Sequence, residues 1–503
     1  MKEINLPSDF SGVHFHLVGI KGTGMAALAE ILSERGGIIT GSDVSETFYT
    51  DEVLKKIGVS ALPFSEKNIT DSVQFVIHSS AYSADKNPDL AQAAKKGLPT
   101  LIYSEALGAV SKTAYSCGVC GVHGKTTTTG LCGTLLLALD LPAQTLAGSV
   151  ISSFGKKCTV STPSLFEAKK NGETHFFVAE TCEYQKHFMA FCPKKIILTS
   201  VESDHQDFYP TYTDIRDAFV DYCLKLPKNG ELIFCIDDAG AAETAKIVSE
   251  KRPDITLIPY GTSAEGDFNI QFGAISSGRQ HFFLSGFGEF SIAVPGAHNV
   301  RNATAAIALS IRLLLEKGKN PLENMEKIRA GLLSFSGGAR RSEIVGRAKT
   351  PLGEEVIFID DYAHHPTAIK TTLSGFRSFY KNHRIVVDFM SHTYSRTAAL
   401  LNEFANSFSD ANDVIINKIY ASAREDASKA GVSGELLAQK TAEKHERVFY
   451  AGEFDDATET ALNILSKKSG EKDGYLFVTM GAGDNWKVGK NVLERLQANG
   501  GEQ

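Results

Sequence analysis

Short apolar runs alternate with stretches of helical periodicity along almost the whole chain. An apolar run at 14–20 precedes a helical pattern at 25–35, and a run at 114–119 precedes one at 126–139. Strand-like runs recur at 174–179, 195–201, 355–359, 384–389, 413–416 and 475–479. Strands that alternate with helices imply parallel sheets with crossover connections, an α/β fold. Three blocks are expected, at 1–112, 113–334 and 335–503. No internal repeat interrupts them, and only the last four residues, 500–503, read as frayed.

Composition supports that division. At roughly 150 residues per domain, 503 residues call for about three domains. The net charge of −7 argues against a general nucleic-acid binder, which needs a basic footprint. The best membrane-span candidate, 305–315, is short and contains Arg312, so no membrane partner is expected. The first ten residues lack a basic segment followed by an apolar one, so no signal peptide is expected. All eight cysteines lie between Cys117 and Cys235, a clustering that suits reduced thiols in a cytoplasm. Cys117 and Cys120 form a C-x-x-C without a second pair, so no zinc site is expected.

The strongest chemical signal is the turn Gly121-Val122-His123-Gly124-Lys125-Thr126-Thr127, between a strand and a helix. Glycines there let backbone N–H groups close on phosphate oxygens, and the helix start adds partial positive charge. Lys125 would reach the β/γ-phosphates and the Thr126 hydroxyl would meet Mg²⁺. The spacing departs from G-x-x-x-x-G-K-[ST], since Gly121 precedes Gly124 by three residues. Glu180 follows one strand-like run, and Glu202, Asp204 and His205 follow another, at strand ends where ligands gather. The sequence Pro295-Gly296-Ala297-His298-Asn299-Val300-Arg301-Asn302 reads as a turn and N-cap before a helix near Ala303.

A second glycine loop, Gly19-Ile20-Lys21-Gly22-Thr23-Gly24, follows the first strand, and Asp43 closes the next. Its G-x-x-G-x-G spacing suits a dinucleotide or a uridine diphosphate, without choosing between them. In the third block, Asp360-Asp361-Tyr362-Ala363-His364-His365-Pro366-Thr367 and Ser391-His392-Thr393-Tyr394-Ser395-Arg396-Thr397 each follow a strand. Arg340 and Arg341 stand at the entry to that block, and a guanidinium fork suits phosphate or carboxylate.

In this order the motifs identify a resemblance to the Mur ligases, and within them to the alanine-adding branch. The motifs are GIKGTGM, GVHGKTTTT, ESDH, GAHNVRN, GARR, DDYAHHPT, HTYSRT and GAGD, spanning Gly19 to Asp484. The resemblance implies a Rossmann-like first domain, a P-loop ATPase-like central domain and a Rossmann-like third domain. It implies that the first binds a uridine nucleotide near Gly22, Gly24 and Asp43, with Ser79 and Ser80 lining the pocket. It implies ATP at Gly121, Gly124, Lys125, Thr126 and Thr127, with His298 and Asn302 near adenine and ribose. Mg²⁺ falls to Thr126, Glu180 and His205. Arg341 and Asp361 would swing onto ATP, and His364, His392 and Arg396 would meet the amino acid. The implied reaction joins the lactyl carboxylate of UDP-N-acetylmuramate to L-alanine through an acyl phosphate, in peptidoglycan precursor synthesis. Lys125, Glu180, His205 and Arg341 would carry the chemistry. A cytoplasmic monomer or weak homodimer is expected.

The chain departs from the pattern at two places. Glu180-Thr181-Cys182-Glu183-Tyr184-Gln185 stands where many relatives have E-A-D-E-S-D, and Thr393 stands where many have arginine. No lysine lies between His205 and Lys225, where ligases that add later residues carry a carbamylated one. Two other readings remain: a recycling ligase that attaches an intact murein tripeptide, and an NAD-binding oxidoreductase built on the first block. A third, a nucleotide-binding module without catalysis, would follow from the missing acids.

Overall fold

The computed structural model describes residues 6–7, 10–48, 50–206, 208–420 and 431–500. Most of the expected frayed tail, 501–503, lies outside the described residues, as do the first five positions of the N-terminus.

Three larger sheets carry the fold. The first contains β1 His14–Val18, β2 Ile38–Ser42, β3 Phe75–His78 and β4 Thr100–Ile102, in the order β2-β1-β3-β4. All its pairings are parallel. The second contains β5 Tyr115–Cys120, β6 Ala143–Ile151, β7 Lys157–Ser161, β8 Phe176–Glu180, β9 Lys195–Leu198, β10 Glu231–Cys235 and β11 Thr256–Tyr260. Its order is β11-β10-β9-β5-β8-β6-β7, parallel except for β6 against β7. A small sheet follows, of β12 Ile270–Ser276, β13 Arg279–Leu284 and β14 Gly288–Ile292. The last sheet contains β15 Glu343–Lys349, β16 Glu355–Asp361, β17 Arg384–Met390, β18 Asp413–Ile416, β19 Val448–Tyr450 and β20 Tyr475–Gly481. Its order is β15-β16-β20-β17-β18-β19, with β15 antiparallel to β16. Central strands covered on both faces read as unbroken apolar runs, and β20 is buried at every position.

Two compact units divide the chain. The first comprises Met1–Phe272, Phe282–Ile292 and Val300–Ser336, and the second Gly273–His281, Ala293–Asn299 and Gly337–Gln503. The first expected block and most of the second therefore share one unit, while 273–281 and 293–299 of the second fall in the other. The expected turn at 295–302 is mostly helix, because the helix runs Ala297–Glu316. Pro295 and Gly296 are the only breakers there. The polar residues after them sit in the first turns, and the Asn299 carboxamide donates to the Pro295 carbonyl at 2.7 Å.

Within the first unit, the helix Thr23–Glu34 is clamped to the second sheet. The buried Glu30 carboxylate accepts the Cys158 N–H at 3.0 Å and the Thr159 hydroxyl at 3.2 Å. Burial pushes the Glu30 pKa up to about 7. Arg35, just past the helix, donates to Gln144 at 2.9 Å and Thr113 at 2.8 Å. The helix that opens at the first glycine loop is thereby fixed against β6 and β7.

At the amino ends of β9 and β10, the edge opposite the phosphate loop, lies a buried ion network. Lys195 meets Glu231 at 2.7 Å, and Arg312 holds the same carboxylate with Nε at 3.1 and 3.0 Å. Burial raises the Glu231 pKa, but hydrogen bonds from Arg312 and Lys195 outweigh it and hold the carboxyl below its usual range. Removing one partner of a buried pair leaves an uncompensated charge. Glu231→Ala is therefore expected to destabilise the first unit by about 3–5 kcal/mol in urea unfolding. Because the folded pKa is depressed, this contribution is present above the ordinary glutamate pKa of about 4.3 and is lost as pH falls through the folded value. The parent and Glu231→Ala should then converge in acid; a constant difference down to low pH would contradict this.

Candidate active site

The site is built where three adjacent parallel strands end. β9, β5 and β8 are neighbours in the second sheet, and each delivers chemistry at its carboxyl end.

From β5 comes the phosphate loop, leading into the helix Lys125–Leu139. Gly121 has φ +135° and Gly124 has φ +80°, conformations open to glycine. Both glycines also permit close approach. A Cβ on Gly121 would lie 2.1 Å from the Thr199 hydroxyl oxygen, and one on Gly124 would lie 2.6 Å from Asn302 Oδ1. The loop is laced to the end of β9. The Val122 N–H donates to the Ser200 carbonyl at 3.0 Å, the His123 N–H to Ser200 Oγ at 2.9 Å, and Thr199 Oγ1 to the His123 carbonyl at 2.5 Å. Thr126 is buried and Thr127 half-buried in the first helical turn.

From β8 come the acids, and here the two glutamates part. Glu180, at the strand's end, accepts the Gly148 N–H at 2.8 Å. Glu183, three residues on and buried, meets Lys125. Its carboxylate oxygens each lie 3.0 Å from Lys125 Nζ, which also donates to the Gly121 carbonyl at 2.5 Å. Burial alone would lower the lysine's pKa, but the Glu183 and Glu180 charges outweigh it and hold it at about 12. Glu183 is held below the usual carboxylate range, since Lys125 and His205 overcome its burial.

From β9 come Glu202, Asp204 and His205. His205 Nε2 lies 3.4 Å from Glu183 and 3.8 Å from Asp204. Glu202 pairs with the His123 ring instead. Of the groups expected to converge, Lys125 and His205 fall in one contiguous cluster, and the acid between them is Glu183 rather than Glu180 or Glu202. Glu183 was not singled out from the sequence, although it stands in the same E-T-C-E stretch as Glu180. The stretch offers two acids, and only the turn after Glu180 decides which of them reaches the lysine.

The first glycine loop is shaped by its neighbours. Gly19, with φ +81°, lies under the Tyr82 ring, where a Cβ would come within 2.6 Å, and Gly24 lies under Tyr103, at 2.8 Å. Asp43 accepts the Lys21 N–H at 2.7 Å and the Val44 N–H at 2.8 Å, so its carboxylate holds the loop's shape. Ser79 sits beside Gly19, with Oγ accepting the Ala81 N–H at 3.3 Å, and Ser80 is exposed. Gly22 precedes the helix as its cap. A cavity of about 160 Å³ brings the two sheets' residues together, with Gly24, Tyr103, Leu107, Glu180, Cys182 and His187 in its wall.

In the second unit, Asp361 accepts N–H groups from Ser342 at 2.7 Å and Ala363 at 2.8 Å. Burial raises its pKa in spite of Arg341. Arg341 stacks on the Tyr362 ring at 5.0 Å, while Arg340 is tied to Asp360 at 2.9 Å. His364 and His392 do come together, with ring centroids 5.9 Å apart, and His392 stacks on Tyr420 at 5.6 Å. Thr393 caps the short helix carrying Arg396, accepting the Arg396 N–H at 3.4 Å. His298 folds its ring against Gly296.

Comparison with known proteins agrees with this architecture. Residues 14–115 match the Mur ligase family catalytic domain, 119–310 the Mur ligase middle domain and 340–483 the Mur ligase glutamate ligase domain. A UDP-N-acetylmuramate–L-alanine ligase of Treponema pallidum is 48% identical over 97% of this chain and 98% of that protein. The chain belongs to the Mur ligase family. The ligase of the same name from Borreliella burgdorferi is 37% identical over 95% of this chain and 97% of that one. Among solved structures, the UDP-N-acetylmuramate-alanine ligase of Thermotoga maritima superposes with a TM-score of 0.74 at 22% identity, covering 97% of this chain and 99% of that one. A murein peptide ligase of Psychrobacter arcticus reaches 0.64 at 21% identity, covering 96% and 98%. These two likenesses speak to the fold. The glycine loop after β5, expected to hold phosphate, turns on Gly124. Gly124→Ala should cost about 1–2 kcal/mol through its left-handed backbone. It should also weaken ATP binding about tenfold, a 1.4 kcal/mol effect, as the Asn302 carboxamide is displaced. Calorimetric titration with ATP checks this, and an unchanged affinity would remove the loop from the nucleotide site.

Proposed function

We propose that this chain uses ATP to join the lactyl carboxylate of UDP-N-acetylmuramate to the amine of L-alanine, a step of peptidoglycan precursor synthesis. The observation that carries the reading is the Lys125–Glu183–His205 cluster at the ends of three adjacent parallel strands, directly under the phosphate loop. The full-length likeness to L-alanine ligases favours alanine over an intact tripeptide. An NAD-dependent oxidoreductase leaves Lys125 and its buried partner without a task.

The donor set suits Mg²⁺. Thr126 supplies a hydroxyl, Glu183 a buried carboxylate and His205 an imidazole beside them, while Glu180 stands at the cavity wall. Mg²⁺, when bound with ATP, neutralises charge on the β- and γ-phosphate oxygens. The carboxylate oxygen attacks the γ-phosphorus, the bond to ADP breaks, and an acyl phosphate forms. Lys125, kept cationic by Glu183, stabilises charge on the transferring group, and the loop's N–H groups position it. The alanine amine then attacks the acyl carbon, phosphate leaves, and the amine's proton is lost as the amide forms. The first glycine loop, with Gly22, Gly24, Asp43, Ser79 and Ser80, is assigned to the uridine nucleotide. Asn302, His298, Arg341 and Asp361 are assigned to ATP, and His364, His392 and Arg396 to the amino acid. We place the reaction in the cytoplasm, in keeping with eight unpaired cysteines.

Phosphate release measured with UDP-N-acetylmuramate should require L-alanine, and release only with the tripeptide would overturn the substrate assignment. Lys125→Ala should lower kcat by about 10²–10³-fold, the usual effect of removing one charge-stabilising donor. Glu183→Gln should be more damaging than Glu180→Gln in the same assay. The reverse order would return the lysine-supporting role to Glu180.

A further inference from the structure

We infer that Tyr184 is a positioning residue for His205, an inference that rests on the assignment of His205 to the metal–nucleotide site. Tyr184 immediately follows Glu183. Its ring centroid lies 4.9 Å from that of His205 at an interplanar angle of 47°. It also meets His187 edge-on at 6.3 Å and Phe208 at 6.1 Å, so three rings from separate positions converge on it.

His205 needs such a wall. Its backbone is fixed in the left-handed region, at φ +54°, with its N–H on Asp204 Oδ1 at 2.7 Å. Its carbonyl accepts the N–H groups of Phe208 and Tyr209, each at 2.8 Å. The backbone does not fix the side-chain torsions, and about a quarter of the side chain, 26%, is open to solvent. Glu183 touches one ring atom, at 3.4 Å. A second contact, on the ring's plane, is needed to fix the direction of the imidazole, and Tyr184 supplies it.

The chain strains itself to make that contact. Gln185 and Lys186 both adopt left-handed backbone, at φ 52° and 57°, without being glycine. In that region the Cβ of an L-residue crowds its own backbone, so each such residue is strained. The reversal lets the Lys186 N–H return to the Glu183 carbonyl at 2.9 Å, and Tyr209 adds its hydroxyl to the same carbonyl at 2.6 Å. As a result, the Glu183 carboxylate and the Tyr184 ring address His205 from two directions. Groups that orient a metal-holding histidine change metal affinity by about 10–100-fold when removed.

The test uses the full chain labelled with ¹³C at histidine Cε1, and a His205→Gln variant picks out the His205 signal among the fourteen histidines. Tyr184→Ala should shift that signal, as the aromatic ring current is lost. It should weaken Mn²⁺ binding about tenfold, read by electron paramagnetic resonance in the presence of ADP. At saturating metal its kcat should recover towards the parent value. Tyr184→Phe keeps the ring and should preserve both signal and affinity, and Tyr184→Leu repeats the reading should the alanine variant unfold. An unmoved His205 signal together with unchanged Mn²⁺ affinity in the ring-less variants would overturn the inference. Parental Mn²⁺ affinity in His205→Gln would instead overturn the metal assignment, while the His205 signal in Tyr184→Ala still decides whether the ring positions it.

Discussion

A lysine enclosed by protein stays charged only if a carboxylate accompanies it, and the site depends on that constraint. Lys125 is largely enclosed, with Glu183 against it. The pair links two strand ends, since the lysine opens the helix after β5 and the glutamate lies in the turn after β8. Through Glu183 the linkage extends to His205 after β9. The lysine charge, the acid that keeps it charged and the imidazole beside them are therefore fixed by the order of strands in one sheet. The lacing fastens the loop to the same edge through the His123 backbone N–H and carbonyl, each bonded to a short hydroxyl side chain, Ser200 or Thr199, that has little rotamer freedom to lose.

The Glu30 and Arg35 clamp does related work at longer range. A glycine loop can cradle a pyrophosphate from any sheet, but to present a carboxylate to a phosphate elsewhere it must keep its distance from the second loop. The helix beginning at Thr23 is bound to β6 and β7 by charged and hydrogen-bonding groups as well as by apolar packing. Apolar contact alone tolerates sliding, whereas directional bonds to specific backbone groups set a register.

Most of the architecture was legible because alternation of strand and helix is written in local periodicity. The strands at 413–416 and 384–389 and the phosphate loop between strand and helix all stand where the pattern puts them, within a residue or two. The helix Ala297–Glu316 was read short because His298, Asn299 and Asn302 are residues that also favour turns, and only the packing behind them selects helix. The choice between Glu180 and Glu183 was not legible for a different reason. Both acids lie in one stretch, and the deciding fact is a turn made by Gln185 and Lys186, neither of which announces left-handed backbone in sequence. Asp43 and Asp361 show the converse. Their positions were readable, but both carboxylates hold backbone N–H groups, a shaping task that spacing does not distinguish from ligand contact.

That strained turn also bears on how such a chain drifts over generations. Two adjacent left-handed residues lacking glycine's freedom are a standing cost, tolerated only while the bend they make is used. If the ring at 184 were exchanged for a small side chain, the bend would lose part of its purpose while its cost remained, and substitutions that relax 185 and 186 would become favourable. Positions 184 to 186 thus form one local unit, in which the ring and the bend that presents it depend on each other.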